Sequence, residues 1–314
     1  MPVQILENVL LAPYTTFQVG GPARWFCAPA AQVEFAEAQA FARSHGLPVF
    51  LLGKGSNLVV SDQGFAGLVV YTGAFNAVSW APREGGEGRY AVTAQCGALL
   101  WDVVDQSVER GLRGMQNMAG IPGTIGGGTY INAGAFDQEM KDIVTKVTSM
   151  QDDGTLVTRS NAECGFGYRH SRFCDSPEWI LETTLELETE ARTEEAKEAL
   201  RAALKAEKEA TVARRVARQP LHLPNAGSMF KRPPGNYAGA LIEAAGLKGF
   251  RMGGAGISDK HANFTVNNGG ATAQDIWDLT SEVILRVRAE SGITLEREPI
   301  FLGEFLPWPR AENG

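Results

Sequence analysis

The sequence predicts an α+β protein. Three observations carry that class: four segments of helical composition and spacing, one strand of clean alternation, and no strict βα alternation of the kind that announces a single parallel sheet. The first helix is expected over 31–45 and stops at Gly46; the apolar run 47–52 follows as a strand that ends in a glycine-rich turn. Short strands are expected at 59–60, 68–71 and 90–94, and a helix over 101–110 stops at Gly111. In 181–188, Leu181, Thr183, Leu185 and Leu187 face one way, while Glu182, Thr184, Glu186 and Glu188 face the other, as in a half-solvated strand. Residues 191–218 are Ala, Glu, Lys and Arg with almost no turn formers. Pairs such as Glu198 with Arg201 support a charged helix, which reads as the start of a separate C-terminal unit. A last helix over 272–290 leads into a strand around 293–302.

A chain of 314 residues suggests about two domains. Its 44% apolar content supplies a core, and 29 basic against 36 acidic residues leave a net charge of −7. An acidic balance excludes a general nucleic-acid binder, which presents a basic face. The N-terminal segment has no basic leader, carries Glu7 and breaks at Pro13, and no stretch reaches the ~18 apolar residues of a spanning helix. The expected compartment is therefore the cytoplasm, with no membrane partner. Cys27, Cys96, Cys164 and Cys174 form no CxxC pair, and the four histidines show no ligand spacing, so neither a disulfide framework nor a metal site is expected. The Asn263-Phe264-Thr265 sequon is then incidental.

Glycine, at 36 residues, exceeds the usual ~7%, and much of the excess lies in two segments. The first, Gly53-Lys54-Gly55-Ser56-Asn57-Leu58, follows an apolar strand but is neither a Rossmann fingerprint nor a P-loop. The second contains Gly120, Pro122, Gly123, Thr124, Gly126 and Gly127 and closes on Asn132-Ala133-Gly134. Either alone reads as turns. Two together also suit a dinucleotide cradle, because amides without side chains to screen them form concave nests for a pyrophosphate.

Against the acidic average, residues 210–242 hold Arg214, Arg215, Arg218, Lys231 and Arg232 and no Asp or Glu. Within them, Pro224 and Gly227 set a bend that could present the Ser228 hydroxyl near Lys231. For an isolated serine a turn hydrogen bond is the better reading, and the Gly-x-Ser-x-Gly elbow of a hydrolase is absent.

An ordered set of motifs goes further. Thr15-Thr16-Phe17-Gln18-Val19-Gly20-Gly21, LLGKGSNLVV at 51–60 and GIPGTIGGGTYINAGAF at 120–136 are followed by Phe166-Gly167-Tyr168-Arg169-His170-Ser171. NAGSMFK at 225–231, GLKGFRMGGAGISDKHANFTVN at 246–267 and Leu295-Glu296-Arg297-Glu298 complete it. Each is weak alone; in this order, from about residue 15 to 303, they resemble the UDP-N-acetylenolpyruvoylglucosamine reductase family.

The resemblance implies a two-part FAD-binding region of the vanillyl-alcohol-oxidase type, over 1–75 and 76–189, and a C-terminal α+β substrate-binding domain over 190–314. It implies non-covalent FAD held by the two glycine segments, and NADPH as reductant. UDP-N-acetylglucosamine enolpyruvate would use the same site in turn, and the protein would act as a monomer. By similarity the catalytic trio is Arg169, Ser228 and Glu298, with Tyr168, Asn225, Lys231 and Arg232 on the substrate. Those residue types suit a reduction that leaves negative charge beside a carboxylate. Arg169 is a permanent planar cation, Glu298 could polarise the carboxylate if protonated or hydrogen-bonded, and Ser228 could protonate a basic enolate. Lys54, Arg232 and Pro299 depart from the family pattern. An FAD-dependent oxidase or a non-catalytic flavin-binding module are the alternatives; the first often tethers flavin through His or Cys, which neither glycine segment contains.

Overall fold

The structure is a computed structural model and describes residues 2–308. Two compact units alternate along the chain. The first holds Cys27–Lys54 and Val70–Arg215 with the N-terminal residues up to Ile5; the second holds Leu6–Phe26, Gly55–Val69 and the chain from Val216 on. The divisions expected at 75/76 and 189/190 both fall within the first unit, and the extreme ends of the expected domains, residue 1 and 309–314, lie outside the described residues.

In the first unit, helices α1 (Gln32–Ser44), α2 (Leu100–Glu109), α3 (Ile125–Tyr130) and most of α4 (Glu194–Arg218) accompany a five-stranded antiparallel sheet. Its order is Leu156–Ser160, Val144–Met150, Trp179–Glu188, Arg89–Gln95, Val78–Pro82. Trp179–Glu188 lies in the middle, so Thr183 faces Val147 on one side and Ala94 on the other. The alternation expected for this strand holds for its leucines but not for Thr184, which is buried. Its hydroxyl lies 3.0 Å from that of Thr93 on the neighbouring strand, so a cross-strand hydrogen bond replaces the water expected on that face.

Helix α4 begins close to the expected position but does not open a separate unit. Leu200 and Leu204 pack with Val108 and Ala191, and Lys208 reaches Asp105 at 2.8 Å. Its two buried leucines pack toward α2 and most of its charged residues face water, but Thr211 and Arg215 are buried as well.

The second unit contains α5 (Ala238–Ala244), α6 (Ala273–Ser291) and a four-stranded antiparallel sheet in the order Asn225–Ser228, Phe264–Asn267, Ala255–Ile257, Arg251–Met252. Phe17, Val59, Met229, Phe230, Ile276 and Leu279 share its core. Thr272 and Asp275 form a capping box at the start of α6, and Asp62 accepts the amides of Ala273 and Gln274 at 2.9 Å each. Gly292, at φ +73°, ends the helix. The expected strand at 293–302 shortens to Ile300–Leu302, which pairs in parallel with Leu58–Val60. Pro299 has no N–H for a ladder, and upstream of it only an isolated bridge between Arg297 and Phe230 forms. Among the described residues, no helix is long and apolar enough to cross a membrane.

One buried ion pair ties the sheet of the first unit together. Glu178 receives Arg159 through two bonds of 2.5 and 3.0 Å and the Ser149 hydroxyl at 2.6 Å. The hydrogen-bonded guanidinium holds the Glu178 carboxyl below its ordinary value of 4.5. Removing one member of such a pair strands the other, so Glu178→Ala should cost about 3–5 kcal/mol at neutral pH, read from urea midpoints. The carboxylate contributes its stability above pH 4.5 and loses it as pH falls through the depressed folded value. The gap between wild type and variant should therefore narrow on acidification.

Candidate active site

Within the first unit, Gly53 of the first glycine segment meets Thr124 of the second. A Cβ on Gly53 would lie 2.7 Å from Oγ1 of Thr124, so only glycine allows that approach. Thr124 caps α3 by accepting the Gly127 amide at 3.2 Å. Gly126 presses on Cys96, where an added Cβ would come within 2.6 Å of the cysteine Cβ. The amides of Ile125 and Gly126 donate to Ala98 and Cys96 at 2.8 and 2.9 Å, and that of Ala133 to Gly128 at 2.7 Å. Glycines 126–128 thus form a closely packed helix rather than an open nest. Donors without a protein acceptor lie elsewhere: among the described residues, the amides of Gly53, Lys54, Gly55, Asn57 and Gly123 make no hydrogen bond to protein.

Arg169 sits on a tight turn of the first unit. The Gly167 amide donates to His170 at 2.9 Å and the His170 amide returns to Gly167 at 3.3 Å. Arg169 adopts φ +53°, a left-handed conformation that costs a non-glycine residue about 1–2 kcal/mol. Its Nη2 donates to the Gly134 carbonyl at 3.3 Å, and its guanidinium lies 5.3 Å from the exposed ring of Tyr168. Asn132 holds this turn in place. Wholly buried, it donates to Gly167 O at 2.9 Å and to Glu139 at 3.0 Å, and accepts the Lys141 amide at 2.9 Å. The side chain that the sequence assigns to a cofactor is committed to the backbone that carries Arg169.

Ser228 and Glu298 lie on neighbouring segments of the second unit. The Glu298 amide donates to Met229 O at 2.9 Å and the Lys231 amide to Glu296 O at 2.9 Å. On the opposite edge, Ser228 pairs with Phe264 across a bulge that contains Gly227 at φ +77°. Asn263 closes the grip: its side chain accepts the Phe230 amide at 3.0 Å and donates to the Phe230 carbonyl at 2.9 Å. The loop at 55–57 is tied in as well. Thr16 binds Gly55 O through its amide and Asn225 O through its hydroxyl, at 3.2 and 2.7 Å, and Ile300 donates to Asn57 O at 3.0 Å.

The expected substrate residues divide. Asn225 shapes its own loop, donating to Leu223 O at 2.7 Å and accepting the Gly227 amide at 2.9 Å. Lys231 pairs with the Glu296 carboxylate, and the Arg232 guanidinium stacks 4.2 Å from the Tyr237 ring.

Comparison with known proteins decides the family. A family model described as the C-terminal domain of UDP-N-acetylenolpyruvoylglucosamine reductase matches residues 219–302, and one described as an FAD binding domain matches 23–160. The reductase of Moorella thermoacetica is 40% identical over 98% of this chain and 96% of its own, and that of Synechococcus sp. 38% over 96% and 92%. The chain belongs to the UDP-N-acetylenolpyruvoylglucosamine reductase family. The crystal structure of the Thermus caldophilus reductase superposes with a TM-score of 0.75 at 31% identity, covering 96% of this chain and all of that one. The α+β architecture, with an FAD-binding region and the reductase C-terminal domain, is the expected one.

As a member of the reductase family, the protein is an FAD-binding oxidoreductase, a UDP-N-acetylmuramate dehydrogenase that uses FAD and NADPH in peptidoglycan precursor synthesis. The residues fit the cofactor: within the first unit, the amides of Gly53, Lys54 and Gly123 lack protein acceptors and suit a diphosphate.

Two residues of the site escaped the sequence reading. Asn263 was visible as an incidental sequon, and Arg297 as one letter of a terminal motif. Arg297 stacks 4.1 Å from the Trp277 ring and donates to Thr280 and Ser281 on α6 at 2.9 and 2.6 Å. Burial pulls its guanidinium down to about 10. It anchors the segment that bears Glu298.

Asn263→Ala would leave both backbone groups of the buried Phe230 unsatisfied. It should lower stability by about 2–4 kcal/mol, measured by urea denaturation.

Proposed function

We propose that Ser228 protonates the substrate carbon left negative after hydride addition, and that Arg169 and Glu298 engage its carboxylate. The pairing of 229–231 with 296–298 supports this reading most directly, because it sets the segment that follows the Ser228 hydroxyl beside the one that bears the Glu298 carboxyl. FAD, when bound, supplies the hydride that NADPH delivers to it. The chain supplies the remaining functions. Arg169 offers a fixed positive charge where anionic character grows as hydride arrives, and its strained turn keeps it pre-aimed. The Ser228 hydroxyl gives up its proton to the enolate. Glu298 hydrogen-bonds the substrate carboxylate.

Gly53, Lys54, Gly55, Ser56, Asn57, Leu58, Gly120, Pro122, Gly123 and Thr124 make up the proposed FAD wall, with 126–134 as its packed support. Tyr168, Lys231 and Arg232 serve the sugar nucleotide. In this reading FAD is held non-covalently, NADPH and the enolpyruvyl sugar nucleotide use one site in turn, and the enzyme works as a cytoplasmic monomer. Its FAD-binding region comprises 1–75 and 76–189, and its substrate-binding domain 190–314.

Purified protein should be yellow and release FAD on denaturation; flavin that stays with the denatured chain would contradict non-covalent binding. In anaerobic stopped-flow, Ser228→Ala should leave flavin reduction by NADPH intact and slow reoxidation by the enolpyruvyl substrate by about 10²–10⁴-fold. An equal fall in both half-reactions would rule out the proton-donor role. Arg169→Lys keeps the charge but loses the planar fork. It should slow the same reoxidation step at least tenfold with an unchanged urea midpoint.

A further inference from the structure

Ser171 is wholly buried, lies two residues beyond Arg169 and takes no part in the proposed chemistry. Its hydroxyl donates to the Tyr130 carbonyl at 2.6 Å, and the Cys174 thiol donates to the same oxygen at 3.2 Å. Tyr130 is the last residue of α3, so no further helical amide reaches its carbonyl. Such a carbonyl needs a donor, and a thiol is a weak one. The Ser171 hydroxyl therefore completes the end of α3 and, in doing so, fixes the chain that leaves the Arg169 turn.

The turn needs ties from outside. Gly167 and His170 close it, but Arg169 occupies its left-handed position at φ +53°, where glycine is favoured. Untied, the turn would relax to negative φ and swing the side chain away. The ties come from one short stretch. Asn132 Nδ2 holds the Gly167 carbonyl at 2.9 Å on the entering side, and Tyr130 O holds Ser171 on the leaving side. Gly134 O receives Nη2 of Arg169 itself at 3.3 Å. His170 turns outward to Asp175 at 2.9 Å, so it leaves the register of the turn to Ser171. The gripping stretch, 130–134, continues from α3, whose cap Thr124 lies against Gly53. A single helix thus relates Arg169 to the proposed FAD wall. We propose that Ser171 is a positioning residue for substrate reduction: by binding the last carbonyl of α3 it keeps Arg169 in place for the anion that forms as hydride arrives. A charge stabilises a transition state best when it is already in position and need not reorient. The inference rests on the role proposed for Arg169.

The test is anaerobic single turnover of holoenzyme, with rates normalised to bound flavin. Ser171→Ala should slow reoxidation by saturating enolpyruvyl substrate by about ten- to hundredfold and leave flavin reduction by NADPH unchanged. Ser171→Cys, which keeps a weaker donor in nearly the same space, should fall between wild type and Ser171→Ala. Each substitution is then combined with Arg169→Lys. A residue that acts through Arg169 loses most of its effect once that guanidinium is gone. The double variants should therefore be no more than about twofold slower than Arg169→Lys alone. Effects that multiply would make Ser171 a general packing residue and overturn the proposal. So would an equal loss in both half-reactions, or wild-type reoxidation in Ser171→Ala. If Ser171→Ala does not fold, Ser171→Cys decides the matter through the same cycle. Failure of the underlying reading looks different: Arg169→Lys would then reoxidise at the wild-type rate, which removes the role of Arg169 and this inference with it.

Discussion

The candidate site depends on peptide groups that no strand or helix can satisfy. Where the backbone leaves regular structure to present a reactive side chain, its N–H and C=O groups still need partners. Two asparagines meet that need. Asn263 matches both polar groups of Phe230, one residue from Met229 and two from Ser228. Asn132 holds the carbonyl of Gly167, two residues before Arg169. A primary amide has the donor and acceptor geometry of a peptide group, so it can replace a missing neighbour strand for a single residue. Without these contacts the two segments would be ordinary surface loops.

The glycines divide along similar lines. Gly126 and Gly128 serve close packing of α3 against Cys96 and Leu100, and their amides are consumed within the protein. Gly53 and Gly55 serve close approach as well, to Thr124 and to the Tyr14 carbonyl, yet they keep amides free of protein acceptors. Glycine content identifies where backbone must come close. It does not say whether the near neighbour is protein or ligand, and only the hydrogen-bond partners separate the two.

Local pattern explains how much was legible in the sequence. The helices expected at 31–45, with its stop at Gly46, and at 272–290 form close to those bounds, because the signals that set a helix act within a few residues. The placement of α4 on α2 was not legible, since two leucines in a charged helix do not specify what they pack against. Thr184 was misjudged because the second face of a central strand is closed by a neighbour distant in sequence. Ser228 and Glu298 were recognised through motif order, but their adjacency is set by backbone bonds between segments about seventy residues apart. Arg215 read as one of five positive charges in a basic stretch; nothing local showed that it would be buried without a counter-charge.

The second unit is assembled from three stretches, Leu6–Phe26, Gly55–Val69 and the chain from Val216 on. Its parallel pair joins Leu58–Val60 to Ile300–Leu302, and Phe17 and Val59 share a core with Met229 and Leu279. During synthesis the first two stretches are made long before their partners. At ribosomal rates of about 5–20 residues per second they wait ~10–50 s with apolar strands unpaired. The ribosome therefore delivers the five-stranded sheet of the first unit before the stretches that complete the second core. A premature stop ahead of Met229 would remove not only the C-terminal sheet but also the core partners of Phe17 and Val59 near the opposite end of the chain.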